Sequence, residues 1–383
     1  MSGFVHLHTH TQYSLLDGQA SVKKLVDKAI ADGMPGIAIT DHGNMFAIKE
    51  FMNYVSKVNG AKAGREKDLK KLLDKMLSLQ GEHSNLATLL AHKESDEAAL
   101  KAEIEAAKKA DKKFEPSEEQ AKQLADLGAA IADLKAMQKE FEFDAVKARE
   151  IIVEMENTPP FKPIIGCEVY VARRALDLKS DKNDLGGYHL ILLAKNFKGY
   201  KNLIKIVSKA WTDGFYGRPR TDRTELEKYH EGLICCSACL GGEIPRLITD
   251  ERFDEAEEAI LWHKNLFGED YYLELQLHKA TVERANHEAY EMQCKVNEKL
   301  VEFARKHNVE LICTNDVHFV DEKDAEAHDR LICLSTGKDL DDPKRMLYSK
   351  QEWMKTTAEM SAIFGQYPEA IGNTGIIGAW SIE

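Results

Sequence analysis

Two periodicities alternate along most of this chain, and together they confine it to one class of fold. Apolar, strand-like runs such as FVHLHTH, PGIAIT, KPIIGCEVYVA, YHLILLA, EGLICCSACLGG, YYLELQL and VELICTNDVHF are separated by segments whose apolar residues recur every three or four positions. Strands alternating with helices predict an α/β fold with parallel strands, because a parallel neighbour is reached through a crossover that a helix usually supplies. The first helix covers SVKKLVDKAIAD, where Ser21 is placed to cap it, Val22, Leu25, Val26, Ala29 and Ile30 form one apolar face, and Gly33 ends it. Further helices are expected over YKNLIKIVSKAW, near DEAEEAILWHKNLF, and through Asn297 to His307.

The alternation stops between about Ala61 and Thr158, where Pro, Gly and aromatic residues nearly vanish and Ala, Lys, Glu and Leu take over. Leu69, Leu72, Met76 and Leu79 are spaced 3, 4 and 3 apart, and Leu124, Leu127, Ile131 and Leu134 repeat that spacing, as helices packed side by side require. Gly81 and Glu115-Pro116 mark breaks, and Ser117 with Gln120 has the form of a capping box. A solvated hairpin or three-helix excursion and a dedicated partner-binding arm both fit this segment, with His83 and His92 on its surface. From Asp321 onward helices and loops are expected, with a cap at Thr356 or Thr357, and the chain stops in GIIGAWSIE as a truncated piece would. The organisation expected is therefore 1–60 with 159–320, then 61–158 inserted, then 321–383.

Composition narrows the setting. The 383 residues carry a formal net charge of -12, so any nucleic-acid contact must come from a local basic patch. Arg218 and Arg220 in YGRPRTD, near Lys195, are candidates for phosphate contact, with ordinary surface solvation the alternative. No apolar run approaches the ~18 residues of a membrane span, and seven scattered cysteines form no disulfide framework. A reducing cytoplasm is the expected location.

Chemistry-bearing residues gather at strand ends. His6, His8 and His10 share one face of a strand, where metal ligation and a partly exposed edge are both open readings. Asp17 lies in the turn SLLDG; Asp41 and His42 follow GIAIT directly; Asp316 and His318 follow VELICT; His189 enters HLILLA. Past the ends of strands is where α/β folds place their sites. Glu168 is a carboxylate inside the apolar run IIGCEVYV, costly to bury without a cation. Cys239 reads as a single thiolate ligand, because the CxxC it forms with Cys236 has no second pair. Cys235 and Cys236 are expected in the core, and Cys167, Cys294, Cys313 and Cys333 as buried small hydrophobes. Zinc takes about four ligands, so this many donors implies two or three ions, and the imidazole and carboxylate mixture suits Zn, Mn or Fe. Such sites hydrolyse phosphoesters.

HLHTH, TDHG, GCEVYV, the histidine of HLILLA, CSACLGGE and TNDVHF together resemble the successive motifs of the PHP (polymerase and histidinol phosphatase) domain, in the form found at the N-terminus of the bacterial replicative DNA polymerase III alpha subunit. The resemblance covers Met1 to about Gly60 and about Phe161 to Glu383, and EMSAIFGQYPEAIGNTGIIG resembles the passage from that domain into the polymerase palm. It implies a distorted seven-stranded (β/α) barrel with an inserted α-helical hairpin or bundle and a C-terminal helical extension. It further implies metal ligands at His8, His10, Asp17, His42, Glu168, His189, Cys239, Asp316 and His318, leaving His6 as a strand residue. The activity implied is 3′-5′ proofreading exonuclease in a parent DNA-directed DNA polymerase whose own catalytic carboxylates lie outside this chain. Implied partners are the primer 3′ end of DNA, the rest of the polymerase, and a sliding clamp and exonuclease subunit. A silent domain that scaffolds the polymerase or docks a separate proofreading subunit, and a stand-alone phosphomonoesterase, are the alternatives.

Overall fold

The computed structural model describes residues 3–379, except for the side chains of 76–86, 140–145 and 148. Met76, Leu79 and His83 therefore lie outside the described side chains. Seven strands are present among the described residues: β1 (Gly36–Ile39), β2 (Lys162–Val171), β3 (Tyr188–Ala194), β4 (Arg220–Thr221), β5 (Leu233–Cys236), β6 (Tyr271–Leu275) and β7 (Glu310–Cys313). They form one curled sheet in the order β1-β2-β3-β5-β6-β7, with β4 on β2. The chain is thus an α/β protein of the expected barrel type, but its strands are not all parallel. β3 runs antiparallel to both β2 and β5, while the other pairings are parallel. The cause is the connection from β2 to β3, which holds only the one-turn 3-10 helix Lys182–Asp184 and no crossover helix, so the chain doubles back.

The run FVHLHTH is extended without forming a regular strand. Its carbonyls at His6 and Thr9 accept from Ala38 and Thr40 at β1, and His8 and His10 exchange hydrogen bonds with Val317 beyond β7. This segment therefore joins the first strand to the end of the last. Within the sheet, alternate residues face opposite ways. Ile37, Ile39, Ile165, Cys167, Leu190, Leu192, Cys235 and Leu273 pack outward against helices. Ala38, Ile164, Ile191, Leu193, Ile234, Cys236, Tyr272 and Ile312 fill the interior. Both faces are buried, which is why these strands read as unbroken apolar runs. Gly166 shows how tight the interior is, since a Cβ there would come within 2.6 Å of Leu193 and 2.8 Å of Thr40.

The helices are α1 (Val22–Ala31), α2 (Ile48–Ala110), α3 (Glu118–Asn157), α4 (Phe197–Thr212), α5 (Arg223–Tyr229), α6 (Glu243–Thr249), α7 (Phe253–Phe267), α8 (Glu288–His307), α9 (Ala325–Thr336), α10 (Thr357–Ile363) and α11 (Pro368–Ala379). Ser21 caps α1 by accepting from the Lys24 amide, and Val22, Leu25, Val26 and Ala29 are buried, whereas Ile30 falls off that face at 38% exposed. On α8 the buried face is Gln293, Val296, Asn297, Leu300, Val301, Phe303 and Ala304. Cys294 lies off that face and is exposed, not buried as expected; Cys167, Cys235, Cys236, Cys313 and Cys333 are buried.

The chain divides into two compact units, 1–57 with 160–383 and 58–159. In the second unit the later turns of α2 lie antiparallel to α3, tied by Lys70 to Glu156 at 2.5 Å and Lys135 to Glu94 at 2.7 Å. Gly81 does not break α2, which runs unbroken from Ile48 to Ala110. One internal glycine costs about 1 kcal/mol, too little to stop a helix built from Ala, Leu, Lys and Glu. The break comes at 111–117, where Ser117 and Gln120 form the expected capping box. The arm is thus a two-helix hairpin. Ile104 and Ile131 are buried in it, Leu124, Leu127 and Leu134 are half-buried, and His92 is exposed. Leu72 is 51% exposed, and its neighbour Leu73 takes the half-buried place instead.

The stretch after Asp321 packs within the first unit. α9 is followed by an irregular strap of residues 337–355, and Thr356 opens α10 with a capping box to Glu359. α11 is held to the barrel by Thr374, whose hydroxyl accepts from the Val5 amide, and by Asn373, which donates to the Leu311 carbonyl in β7.

Candidate metal centre

Strand direction assembles the centre. His42 follows β1, Cys239 follows β5, and Asp316 and His318 follow β7, all at the C-terminal end of parallel strands. β3 points the other way, so its second residue, His189, arrives at that same end. Glu168 in β2 and Glu274 in β6 share the parity of the interior residues Ile164 and Tyr272, which turns both carboxylates inward. His8 and His10 come from the N-terminal segment. Asp41 anchors the loop between them and Asp17, accepting from the Thr11 amide at 2.7 Å and from the hydroxyls of Thr11 and Ser14. Asp316 is itself in the left-handed region with φ 44, a conformation that costs a non-glycine residue energy and is held here by its surroundings.

All nine residues singled out by sequence meet in one place. Glu168 is the hub, with His42 Nδ1 at 2.5 Å, His189 Nδ1 at 2.7 Å, His8 Nε2 at 3.4 Å, His10 Nε2 at 3.6 Å and Cys239 Sγ at 3.8 Å. Asp316 lies 3.1 Å from His8 Nε2 and 3.2 Å from His10 Nε2. Asp17 lies 2.9 Å from His42 Nε2 and 3.8 Å from His318 Nε2.

Three imidazoles are oriented by their outer nitrogens. His8 Nδ1 is 2.7 Å from Glu274, His10 Nδ1 is 3.0 Å from the Ser14 hydroxyl, and His318 Nδ1 donates to the Asp316 carbonyl at 2.7 Å. Each ring thus turns Nε2 toward the centre, which is how metal-binding histidines are held. His8 Nε2, His10 Nε2, His318 Nε2, His42 Nδ1, Glu168 Oε2 and Asp316 Oδ1 are all buried without a hydrogen-bond partner. Buried orphans of this kind are expensive, and here they point at one another. Three overlapping groups, His10 with His42 and His318, His8 with His10 and Asp316, and His42 with Glu168 and His189, bring donor atoms within 4.8 Å of one another. The donor set of imidazole, carboxylate and one thiol fits Zn, Mn or Fe.

Electrostatics agree with that fit. Burial works against the charged forms of His8, His42 and His318, yet Asp316, Glu274, Glu168 and Asp17 outweigh it and raise all three, His318 to about 9. His10 moves the other way, to about 3, through burial and the neighbouring His42 and His318. The carboxyls of Glu168, Asp17 and Asp316 are held well below their usual range by the surrounding histidines, against the opposing effect of burial. Burial and then the nearby Asp316 and Glu168 push the Cys239 thiol far up, so a cation would be needed to draw its proton off. His6 lies outside the centre, hydrogen-bonded through Nε2 to the Lys355 carbonyl at 2.8 Å, and burial lowers it to about 4.

Sequence reasoning missed three supporting residues. Glu274 and Ser14 orient ligands as described, and the Tyr348 hydroxyl donates to Asp17 Oδ1 at 2.8 Å, while Asp41, which the sequence offered beside His42, anchors the loop instead. Glu274 carried the same signal as Glu168, an acid inside the apolar run YYLELQL. Tyr348 sits in an irregular strap that offered no periodicity.

The phosphate-contact expectation needs correction. Arg220 is 1% exposed, and its guanidinium donates to the carbonyls of Gly214, Leu176, Leu178 and Asp184, so it is a structural brace. Lys195 pairs with Asp270 at 2.8 Å and follows the far end of β3 from His189, a consequence of that strand's direction. Arg218 does border the centre, stacked 5.5 Å from the Tyr170 ring. With Arg173 and Arg246 it lines a cleft of about 560 Å³ that reaches Asp17, His42, His189, Cys239, Asp316 and His318.

Comparison with known proteins places this architecture. Residues 6–95 and 107–278 match the PHP domain. The chain is similar to the DNA polymerase III subunit alpha of Borreliella burgdorferi, 35% identical over 97% of this chain and 23% of that protein. It is similar also to those of Treponema pallidum, 31% identical over 97% of this chain and 22% of the relative, and Thermus aquaticus, 32% over 96% and 21%. The chain spans about a quarter or less of the length of these relatives.

Proposed function

The chain belongs to the PHP domain family, and from that premise we propose that it is the PHP part of a replicative DNA polymerase III alpha subunit, carrying a centre of two or three divalent ions that hydrolyses phosphodiesters as a 3′-5′ proofreading exonuclease. The observation that carries this is the set of six buried nitrogen and oxygen atoms that make no hydrogen bond and converge amid nine residues of metal-ligand type. His8, His10, Asp17, His42, Glu168, His189, Cys239, Asp316 and His318 would hold the ions. When bound, such ions supply Lewis acidity toward a phosphoryl oxygen and a nucleophilic water at neutral pH.

The protein's own groups do the rest. Glu274, Ser14 and the Asp316 carbonyl fix the imidazoles so that Nε2 faces the ions. The cleft gives a substrate chain access to the centre, and Arg173, Arg218 and Arg246 present positive charge to its phosphates. On this reading 1–60 and 159–320 are the barrel, 61–158 is an inserted arm and 321–383 leads toward the polymerase palm. DNA at the primer 3′ end is the substrate, and the remainder of the polymerase, a sliding clamp and an exonuclease subunit are partners of the whole protein, in the cytoplasm. Among the described residues no helix is long and apolar enough to cross a membrane. Similarity to alpha subunits along nearly the entire chain favours this over a free-standing phosphomonoesterase.

The test is release of nucleotides from a 3′-labelled primer with Mn or Zn, beside the H8A/H10A variant and a small phosphomonoester. The expected result is primer degradation by the parent at least a hundredfold above the variant and little monoester turnover. A metal-loaded parent that leaves the primer intact would favour the silent, scaffolding domain, and preferred cleavage of the monoester would favour the phosphatase.

A further inference from the structure

The strap of residues 337–355 lies beyond the part of the chain matched to the PHP domain, yet it reaches into the centre. Tyr348 is the residue that does so. Its hydroxyl donates to Asp17 Oδ1 at 2.8 Å, while the other oxygen, Oδ2, faces His42 Nε2 at 2.9 Å and His318 Nε2 at 3.8 Å. The two carboxylate oxygens are thus sorted, one occupied by a phenol and one left toward the ligands. The ring is itself held, 5.1 Å from the His318 ring and edge-on to His328 at 4.8 Å.

The strap is pinned around this residue. Arg345 makes a two-pronged pair with Asp329 at 2.6 and 2.7 Å, and Asn286 donates its amide to the Tyr348 carbonyl at 2.9 Å. Ser349 is tied to Glu352 through both its amide and its hydroxyl, at 3.0 and 2.6 Å. The Glu352 carbonyl in turn accepts from the His318 amide at 2.8 Å. From its own loop Asp17 receives backbone support only, its amide donating to the Ser14 carbonyl at 3.0 Å, and among the described residues no group of that loop holds its carboxylate. Its neighbour Leu16 is in the left-handed region with φ 60, and Asp17 is a quarter exposed at the cleft. Without the phenol, a partly exposed carboxylate on a strained turn could take a cation through both oxygens.

We propose that Tyr348 is a positioning residue that locks Asp17 to present Oδ2 alone, so that the strap completes the metal site from outside the matched domain. This rests on the reading that the nine residues hold metal. A partner that orients a ligating carboxylate is worth about ten to a hundredfold in metal affinity.

The test is a double-mutant cycle on the whole chain, with Mn or Co affinity measured by titration calorimetry and the Co-loaded visible spectrum recorded for parent, Y348F, D17N and Y348F/D17N. Tyr348→Phe keeps the ring that packs on His318 and His328, and circular dichroism of the metal-free proteins checks the fold. The expected result is affinity about ten to a hundredfold weaker in Y348F, an altered Co spectrum, and no further loss when Y348F is added to D17N. Equal affinity and spectrum in parent and Y348F would overturn the proposal, as would an equal loss in both backgrounds, which would mark a merely structural role. A parent that binds neither ion would instead overturn the reading of the centre.

Discussion

Glu168 and Glu274 are both buried acids within apolar strands, but they touch histidines from opposite sides. Glu168 meets the inner nitrogens of His8 and His10, and Glu274 meets the outer nitrogen of His8, where it also accepts from Gln276 at 2.9 Å. One is placed to bind a cation and the other to hold the ring that binds it. Burial of charge elsewhere has no such return. Lys355 is 3% exposed and has no carboxylate in ion-pair contact among the described residues, and burial lowers it to about 8. Between pH 8 and 10.5 the unfolded chain binds the extra proton, so stability rises with pH through that window; below pH 8 the buried ammonium costs about 3 kcal/mol. Lys355→Met is accordingly expected to stabilise the metal-free protein by about 1–3 kcal/mol at pH 7, and to flatten stability between pH 8 and 10.5, as denaturant midpoints would show. Residue chemistry was legible in the sequence where a polar group stood against an apolar background, as with Glu168 and His189. It was illegible where identity alone had to decide, as between Arg218, which lines the cleft, and Arg220, two residues on, which spends its donors on four carbonyls.

At the scale of elements, pattern revealed most strands and helices, FVHLHTH and the two-residue β4 excepted, but not which way each strand runs. The link between β2 and β3, residues 172–187 with no helical period, was the available clue, and it decides that His189 reaches the centre while Lys195 does not. Likewise the apolar spacing around Leu69 identified a helix on which Leu69 is half-buried, but Leu72 is exposed and Leu73 takes its place. Long helices of this composition are continuous through a single glycine, so Gly81 misled for an energetic reason. The hairpin closes on itself, with Lys62 reaching the Thr158 carbonyl. Its ends are therefore near one another, and replacing 63–157 by a few glycines is expected to leave cooperative unfolding and metal content unchanged, measured by calorimetry and elemental analysis. Loss of both on excision would show that the two compact units do not stand independently.

For the whole molecule, the barrel's mixed topology and its C-terminal strap serve one end of the sheet. Residues drawn from the first twenty positions, from the strand ends and from the segment after β7 converge there, although more than 300 residues of sequence separate His8 from Asp316. Such convergence was legible from the strand-end positions together with the family resemblance; the role of the strap that braces Asp17 was not, because its turn residues carry no periodicity that would place Tyr348. The net charge of -12 fits this picture, since the carboxylates of the centre are part of it and the positive charge facing the cleft is local, at Arg173, Arg218 and Arg246. The central claim is that the nine converging residues form a metal centre. Anomalous diffraction from crystals of the protein grown with Mn or Zn tests it most directly: two or three peaks within coordination distance of His8, His10, Asp17, His42, Glu168, His189, Cys239, Asp316 and His318 are predicted, and a centre without anomalous density at saturating metal would contradict the account.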